Sequence, residues 1–570
     1  MTAAVRDQGL VAAVPDTGSA PETRVAAVEA AFGDPGDPDN PVGHAALLAA
    51  DADRRVLDEA ELALDRFGLG AELVPRTLGG RMDRIDTVAR LLRHVFRRDA
   101  SVGVGNALMT FTSAVHVWNA GSTQQREATA GLLLGGGRMT NACHGVTHGS
   151  VLLRDEYEAW PQDSGYRLEG RKRVVFNGTR ADALTLVCRT GGAGPRSHSV
   201  FLVGREGLDS AAVSELPRQE TLGVRSCRIA GLAFRGCCLD RLALLGEEGE
   251  GTELTLRSFQ IVGAVAASAM IGVADTALRT AVRTALRNEQ HGEHAWQTLA
   301  GGFADLLLCD AFALVGTRAV HLLPERTSVY AAAVRYLVPR VLAQTLNDLS
   351  SVLGRHLFDR DGEAGLFQKA VRDLPVIGLG HLGSAACQAI LIPQLRRLAE
   401  SAWMRTEPAP ALLFRPHGEL PALTGPDRLS LAASDDPVSS WLDHACEGPL
   451  RPLAAALQTE FKELRARCLE LPPGVTDLRA FPLADRYALL LAGAAVLAVH
   501  ATCASGPSGP GDTFLADPAW AALALTRIAR RLGLPAPGMD PQWALTLRRE
   551  VYDRHARRHS FDLYATPVLG

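Results

Sequence analysis

The stretch from Leu222 to Ser258, LGVRSCRIAGLAFRGCCLDRLALLGEEGEGTELTLRS, places the tightest limits on how this chain can fold. Arg225 to Phe234 reads as an extended segment, with Ile229, Leu232 and Phe234 as its apolar members. Gly246 to Gly251 follows as a tight polar turn whose glycines allow positive φ. That turn carries three acids and no lysine, so it reads as a structural turn and not a phosphate loop. From Thr252 the apolar pattern becomes helical and stays so for well over a hundred residues. A strand, a glycine turn and a long helix in this order join a β domain to an α bundle.

The rest of the chain divides around that join. Residues 1–20 lack a basic start and an apolar core and read as a loose tail. Residues 21–137 read as helices: one over Val56 to Phe67 stopped by Gly68, one from about Asp83 to Phe96, one opened by Asp99, and one capped by Ser122 or Thr123. Residues 138–250 change period. Tyr166 to Lys172 reads as a hairpin, and Ala183 to Cys188 and Val200 to Val203 as strands, which suggests a small β barrel or sandwich. Residues 251–405 carry four apolar stripes at helical spacing, Ile271 to Ala285, Phe303 to Leu322, Val329 to Leu353 and Gly383 to Leu398, and predict a four-helix bundle. The proline-rich residues 406–426 read as a linker, and 427–570 as an appended helical domain.

Composition bounds the partners. A net charge of -4 argues against nucleic acid and against a strongly basic membrane surface. The ten cysteines form no CxxC pair and read as reduced thiols of a cytoplasmic protein. The apolar runs Ile261 to Ala274 and Tyr487 to Val499 are shorter than the ~20 residues a spanning helix needs, so we expect buried helices and no transmembrane segment. Cys143, His144 and His148 lie close in sequence, but the spacing is not that of a metal site and no fourth ligand is evident.

Several passages resemble the acyl-CoA dehydrogenase family. The Leu222–Ser258 join is one. Others are the Val74-Pro75 to Gly79-Gly80 loop, the Asp99 to Ser101 helix start, and the Gly121-Ser122 to Gln125-Arg126 cap. The resemblance implies a mainly α fold with a central β domain, covering residues 50 to 400 well. It also implies a reaction that needs a base, a flavin, and hydrogen bonds to a thioester oxygen.

The resemblance assigns the family's site residues one at a time. In the first flavin motif His144 stands at the threonine, Gly145 at the acid and Val151 at the aspartate, while Gly149-Ser150 persist. In the second, Val174 stands at the stacking tryptophan and Phe176 at the hydrogen-bonding threonine, before an intact Asn177-Gly178 turn. Asn288 takes the place of the pyrophosphate arginine; Arg287 is one residue early, about 100° around the helix. The glycine-rich loop keeps Gly354 alone. Arg372-Asp373 anchor the last motif, and His381 falls on its catalytic glutamate. Imidazole titrates near working pH, which suits His381 to acid–base work; the bland alternative is a polar residue at a helix start.

The chain is therefore expected to act on an acyl thioester, carried on CoA or an acyl carrier protein. FAD is the family's cofactor, and the altered motifs predict a divergent or non-redox reaction. Two alternatives stand beside this: an ordinary FAD-dependent oxidoreductase, and an inactive homologue serving as partner subunit or scaffold. A homodimer, or pairing with an active homologue, is expected.

Overall fold

The computed structural model describes residues 20–143, 156–288, 292–379, 383–423, 425–443, 448–473, 477–506, 509, 512–536 and 538–570. Its architecture is mainly α with a central β domain. The N-terminal helices include Pro21–Phe32, His44–Ala52, Asp58–Phe67, Ile85–Arg98, Met109–Ala120 and Thr123–Leu134. Ser122 caps the last of these through a reciprocal pair, its hydroxyl accepting from Gln125 N while Gln125 accepts from Ser122 N. Asp99 caps the turn after Ile85–Arg98 by accepting from Val102 N at 2.9 Å.

Helix Ile85–Arg98 is buried along its whole length, polar side chains included. It lies against Gly251–Arg287 so closely that a Cβ on Gly272 would sit 2.1 Å from the Arg93 carbonyl oxygen. Glycine there is what permits the two backbones to meet.

The β domain is one eight-stranded sheet, with Met139–Ala142 pairing parallel to Ala183–Arg189 off the main path. The hairpin differs from expectation. Its strands are Tyr157–Gln162 and Gly165–Phe176, so Tyr166 to Lys172 lies inside the second strand. Alternating burial along that strand, with Tyr166 and Leu168 inward, disguised its length. The expected extended segment also starts late: the strand is Ile229–Asp240. Before it, Val224 adopts φ 47° and breaks the extended path.

The bundle holds Gly251–Arg287, Glu293–Leu322, Thr327–Leu353 and Ser384–Ser401, and in addition Gly362–Leu379. Pro375 inside this last helix hid its periodicity. The two apolar runs belong to helices of 37 and 25 residues, not to short segments. With Glu293–Leu322 these are long and apolar enough to cross a membrane, and their most apolar windows are 89%, 100% and 83% buried within the protein itself. Among the described residues no disulfide joins the cysteines.

The proline-rich stretch is a packed strap. Ala409, Leu413 and Phe414 within it are buried, as are Leu429, Ala433 and Val438 just after it, and the Arg318 guanidinium donates to the Leu412 and Gly418 carbonyls at 3.0 and 2.7 Å. Such contacts hold it where a spacer would be solvated. Beyond it, Arg451–Leu469, Ala480–Ala504, Pro518–Leu532 and Pro541–Ala556 form a further helical layer.

Candidate functional site

One apolar cavity lies where the N-terminal helices, the sheet and the bundle meet. Val104, Leu108 and Met109 line it from the first, Phe176 from the second, and Val224 from the loop before Ile229–Asp240. Phe259, Val262, Gly263 and Ala266 face it from Gly251–Arg287, at the i, i+3, i+4, i+7 spacing of one helix face. Arg335 comes from Thr327–Leu353, and Val376 and Ile377 from Gly362–Leu379. The cavity volume is about 30 Å³, room for about two waters.

Each wall is fixed by a specific device. Gly103–Leu108 is a π-helical stretch, a wide turn that recurs at functional sites. Asn177 adopts φ 51° and its Nδ2 donates to the Gly105 carbonyl at 2.7 Å, tying the sheet to that stretch. Thr140 donates its hydroxyl to the Phe176 carbonyl at 2.6 Å, which orients the backbone that carries the ring.

Val224 is held differently. A β-branched residue at positive φ is strained, and such strain persists only where neighbours impose it. Here the Val224 N–H donates to Asp373 Oδ1 at 2.6 Å. Asp373 is in turn fixed by Lys369 at 2.6 Å, and Lys369 also reaches Asp99 at 2.7 Å. Burial opposes the charge on Lys369, but Asp373 and Asp99 outweigh it and hold its pKa above the ordinary lysine value.

Arg335 is the one charged side chain among the described lining residues. It is 5% exposed. Its guanidinium donates to the Ile377 carbonyl at 2.9 Å and lies 3.7 Å from Met270 Sδ. Burial pushes its pKa below the usual arginine range, and the nearby Cys387 works in the other direction.

Of the residues assigned from the sequence, Phe176 lines the cavity. Val174 is half-buried two positions earlier on the same strand and is not in the wall. Asn288 is exposed at the end of Gly251–Arg287, and Gly354 is exposed at φ 54° at the end of Thr327–Leu353; neither meets the cavity. His144, Ser150 and His381 lie outside the described residues. Arg335, Val224 and Lys369 were missed. Two of the three had a signal: Arg335 interrupts the apolar run Ala331 to Val338, and Lys369 is one of three lysines in the chain, spaced i, i+4 from Asp373.

The site can be tested for a flavin by size. An isoalloxazine has three fused rings, and the cavity as its side chains stand admits about two waters. Phe176 fills part of the volume where the resemblance would place a threonine. As their side chains stand, the described residues leave no room for the ring system in this cavity.

No protein-family model matches the chain. The mitochondrial short-chain specific acyl-CoA dehydrogenase of Homo sapiens is 27% identical over 251 residues, 42% of this chain and 58% of that protein. The match thus spans little more than half of that curated relative. An acyl-CoA dehydrogenase complexed with FAD from Bacillus anthracis has a TM-score of 0.71 at 15% identity, covering 93% of this chain and 91% of that one. The prolyl acyl carrier protein oxidase AnaB has a TM-score of 0.57 at 17% identity, covering 65% and 96%.

Proposed function

We propose, for a chain that stands with the acyl-CoA dehydrogenases in fold and in sequence kinship, that it binds an acyl thioester in the three-lobed cavity and transfers protons instead of hydride. The carrier is CoA or an acyl carrier protein; the latter is the substrate class named for one structural neighbour. The observation that carries this reading is the apolar lining of the cavity, with Phe176 in its wall where the resemblance would place a threonine.

His381 is the proposed acid–base. The wall residues Val376 and Ile377 lie five and four positions before it in the chain. A neutral imidazole there takes the proton from the carbon α to the thioester carbonyl, and the C–H electron pair moves into the enolate. The resulting imidazolium returns a proton to the same carbon or to its vinylogous position. The acyl group gains and loses no electrons, so no oxidant is required.

Two measurements test this. The purified protein is expected to be colourless and to leave the fluorescence of added FAD unquenched. It is expected to exchange the α-protons of an acyl-pantetheine thioester with deuterated solvent, and His381→Ala is expected to cut that exchange by about a hundredfold or more. A yellow protein with one FAD per chain would return it to the flavin oxidoreductases. Exchange that survives in His381→Ala would remove His381 from the chemistry.

A further inference from the structure

A second cavity, of about 40 Å³, adjoins the first and shares Phe259, Gly263 and Arg335 with it. Its remaining walls are Leu256 and Gln260 from Gly251–Arg287, Ser328, Ala331 and Ala332 from Thr327–Leu353, Cys387 and Ile390 from Ser384–Ser401, and Leu431 from the segment just after the strap. Ser328, Ala331, Ala332 and Arg335 fall at i, i+3, i+4, i+7 and so share one helix face. At Gly263 a Cβ would lie 3.7 Å from Arg335 Cβ, so the absence of a side chain leaves the two cavities adjacent across the arginine stem.

Three polar groups stand in this otherwise apolar wall. Arg335 is 5% exposed, Ser328 3% and Gln260 5%. Among the described residues, Ser328 Oγ and Gln260 Oε1 have no hydrogen-bond partner. The Gln260 amide is oriented by its other end, where Nε2 donates to the Ser430 carbonyl at 2.9 Å, and this leaves Oε1 as an acceptor. Buried polar groups are nearly always satisfied, and each one that is not calls for a ligand, water or ion. A cation, a hydroxyl and an acceptor oxygen in an apolar chamber are the few convergent groups of a ligand subsite.

We propose that this second cavity receives the far end of the acyl group, and that this end is a carboxylate with an O–H or N–H on the neighbouring carbon. The proposal rests on the acyl-thioester reading of the first cavity. Arg335 N–H and Ser328 O–H donate to the carboxylate, a charge-assisted arrangement stronger than a neutral one. The neighbouring donor serves Gln260 Oε1. A volume of about 40 Å³ admits about three waters, which matches a carboxylate and one adjacent hydroxyl.

Three pantetheine thioesters separate the contributions when titrated into the full-length protein by calorimetry. These are the 4-malyl thioester (carboxylate and hydroxyl), the succinyl thioester (carboxylate alone) and the 4-methylpentanoyl thioester (the same shape as succinyl, uncharged). We expect succinyl to bind at least tenfold more tightly than 4-methylpentanoyl, and malyl several-fold more tightly again. Arg335→Met should erase the first preference and Gln260→Leu the second. Should Arg335→Met fail to fold, as judged by circular dichroism, Ser328→Ala must still reduce the succinyl preference. Equal binding of succinyl and 4-methylpentanoyl by the wild type overturns the carboxylate subsite while leaving the acyl-thioester reading intact. Equal binding of malyl and succinyl overturns the part given to Gln260. Failure of all three to bind overturns the thioester reading and this subsite together.

Discussion

His116 shows at the scale of one residue how this interior treats charge. Its Nδ1 lies 2.8 Å from the Thr112 carbonyl, and its ring meets the cavity-lining Phe259 edge to face at 6.1 Å. Nε2 is buried with no partner among the described residues. Burial pushes the pKa down to about 4, against a smaller upward pull from the Thr112 carbonyl. The unfolded chain takes up this proton near pH 6.5 and the folded chain only near 4. Stability is therefore full above about pH 6.5 and falls as the pH drops toward 4. Urea denaturation at pH 7 and pH 5 is expected to find a larger loss in the wild type than in His116→Gln, by roughly 2 kcal/mol. Equal losses would mean that His116 charges in the folded state. Residues of this kind are poorly legible in a sequence, because their environment is assembled from distant segments. Asn177-Gly178 could be read as a turn, since Asn tolerates φ 51°. The strain at Val224 could not, because the carboxylate that imposes it lies 149 residues away.

Among the elements, Gly362–Leu379 does the most to shape the site. It presents Val376 and Ile377 to the cavity, and one turn earlier Asp373 holds Val224 in place. Removing that carboxylate leaves Lys369 with one acid, Asp99, in a buried site. Asp373→Ala is therefore expected to cost about 3 kcal/mol in guanidinium denaturation, the low end for breaking a buried pair. It is also expected to weaken acyl-thioester binding, because Val224 relaxes from positive φ and its backbone moves at the cavity wall. A loss below about 1 kcal/mol would place Lys369 and Asp99 as a self-sufficient pair. Regular elements were readable wherever local signals sufficed. The helical stripe after Thr252 and the Ser122 cap are examples, both set by spacing within a few residues. Gly362–Leu379 was not readable, since Pro375 and Gly378 are helix breakers on propensity alone. Its packing overrides them: a Cβ at Gly378 would lie 3.2 Å from Pro339 Cβ on the neighbouring helix. The strap failed for the converse reason. Its prolines suggest a spacer, yet Leu413 and Phe414 within it are buried, and Asp436 just beyond it accepts from Tyr330, Tyr487 and Trp403 in the interior.

At the scale of the molecule, the polar face of Ile85–Arg98 ties the lobes to one another. Arg93 pairs with Asp310 of the bundle and, at 2.8 Å, with Asp562 of the C-terminal segment. Arg97 pairs with Glu29 of the first helix at 3.2 Å and Asp275 of the bundle at 3.1 Å. Burial alone would raise the pKa of Glu29, but Arg97 and His94 outweigh it and bring it down to about 2. The C-terminal segment also inserts Phe561, Leu563 and Tyr564, all buried, with Tyr564 beneath Arg90 at 3.9 Å. None of these partners is near another in sequence, so burial of each charge depends on all the lobes being in place. Arg93 would lose one of its two acids in a buried site, and each of the three apolar side chains contributes about 1.5–3 kcal/mol by burial. Ending the chain after Arg558 is thus expected to cost more than about 5 kcal/mol, and to cost it everywhere. Hydrogen exchange locates that loss. Protection should fall in Ile85–Arg98 and in the middle of Glu293–Leu322, around Asp310, as steeply as in Pro541–Ala556, because Arg93 loses one partner and the other is left to hold it alone. Faster exchange confined to Pro541–Ala556 would mean that the C-terminal segment is a separable unit. In that case the cavity walls would owe nothing to it.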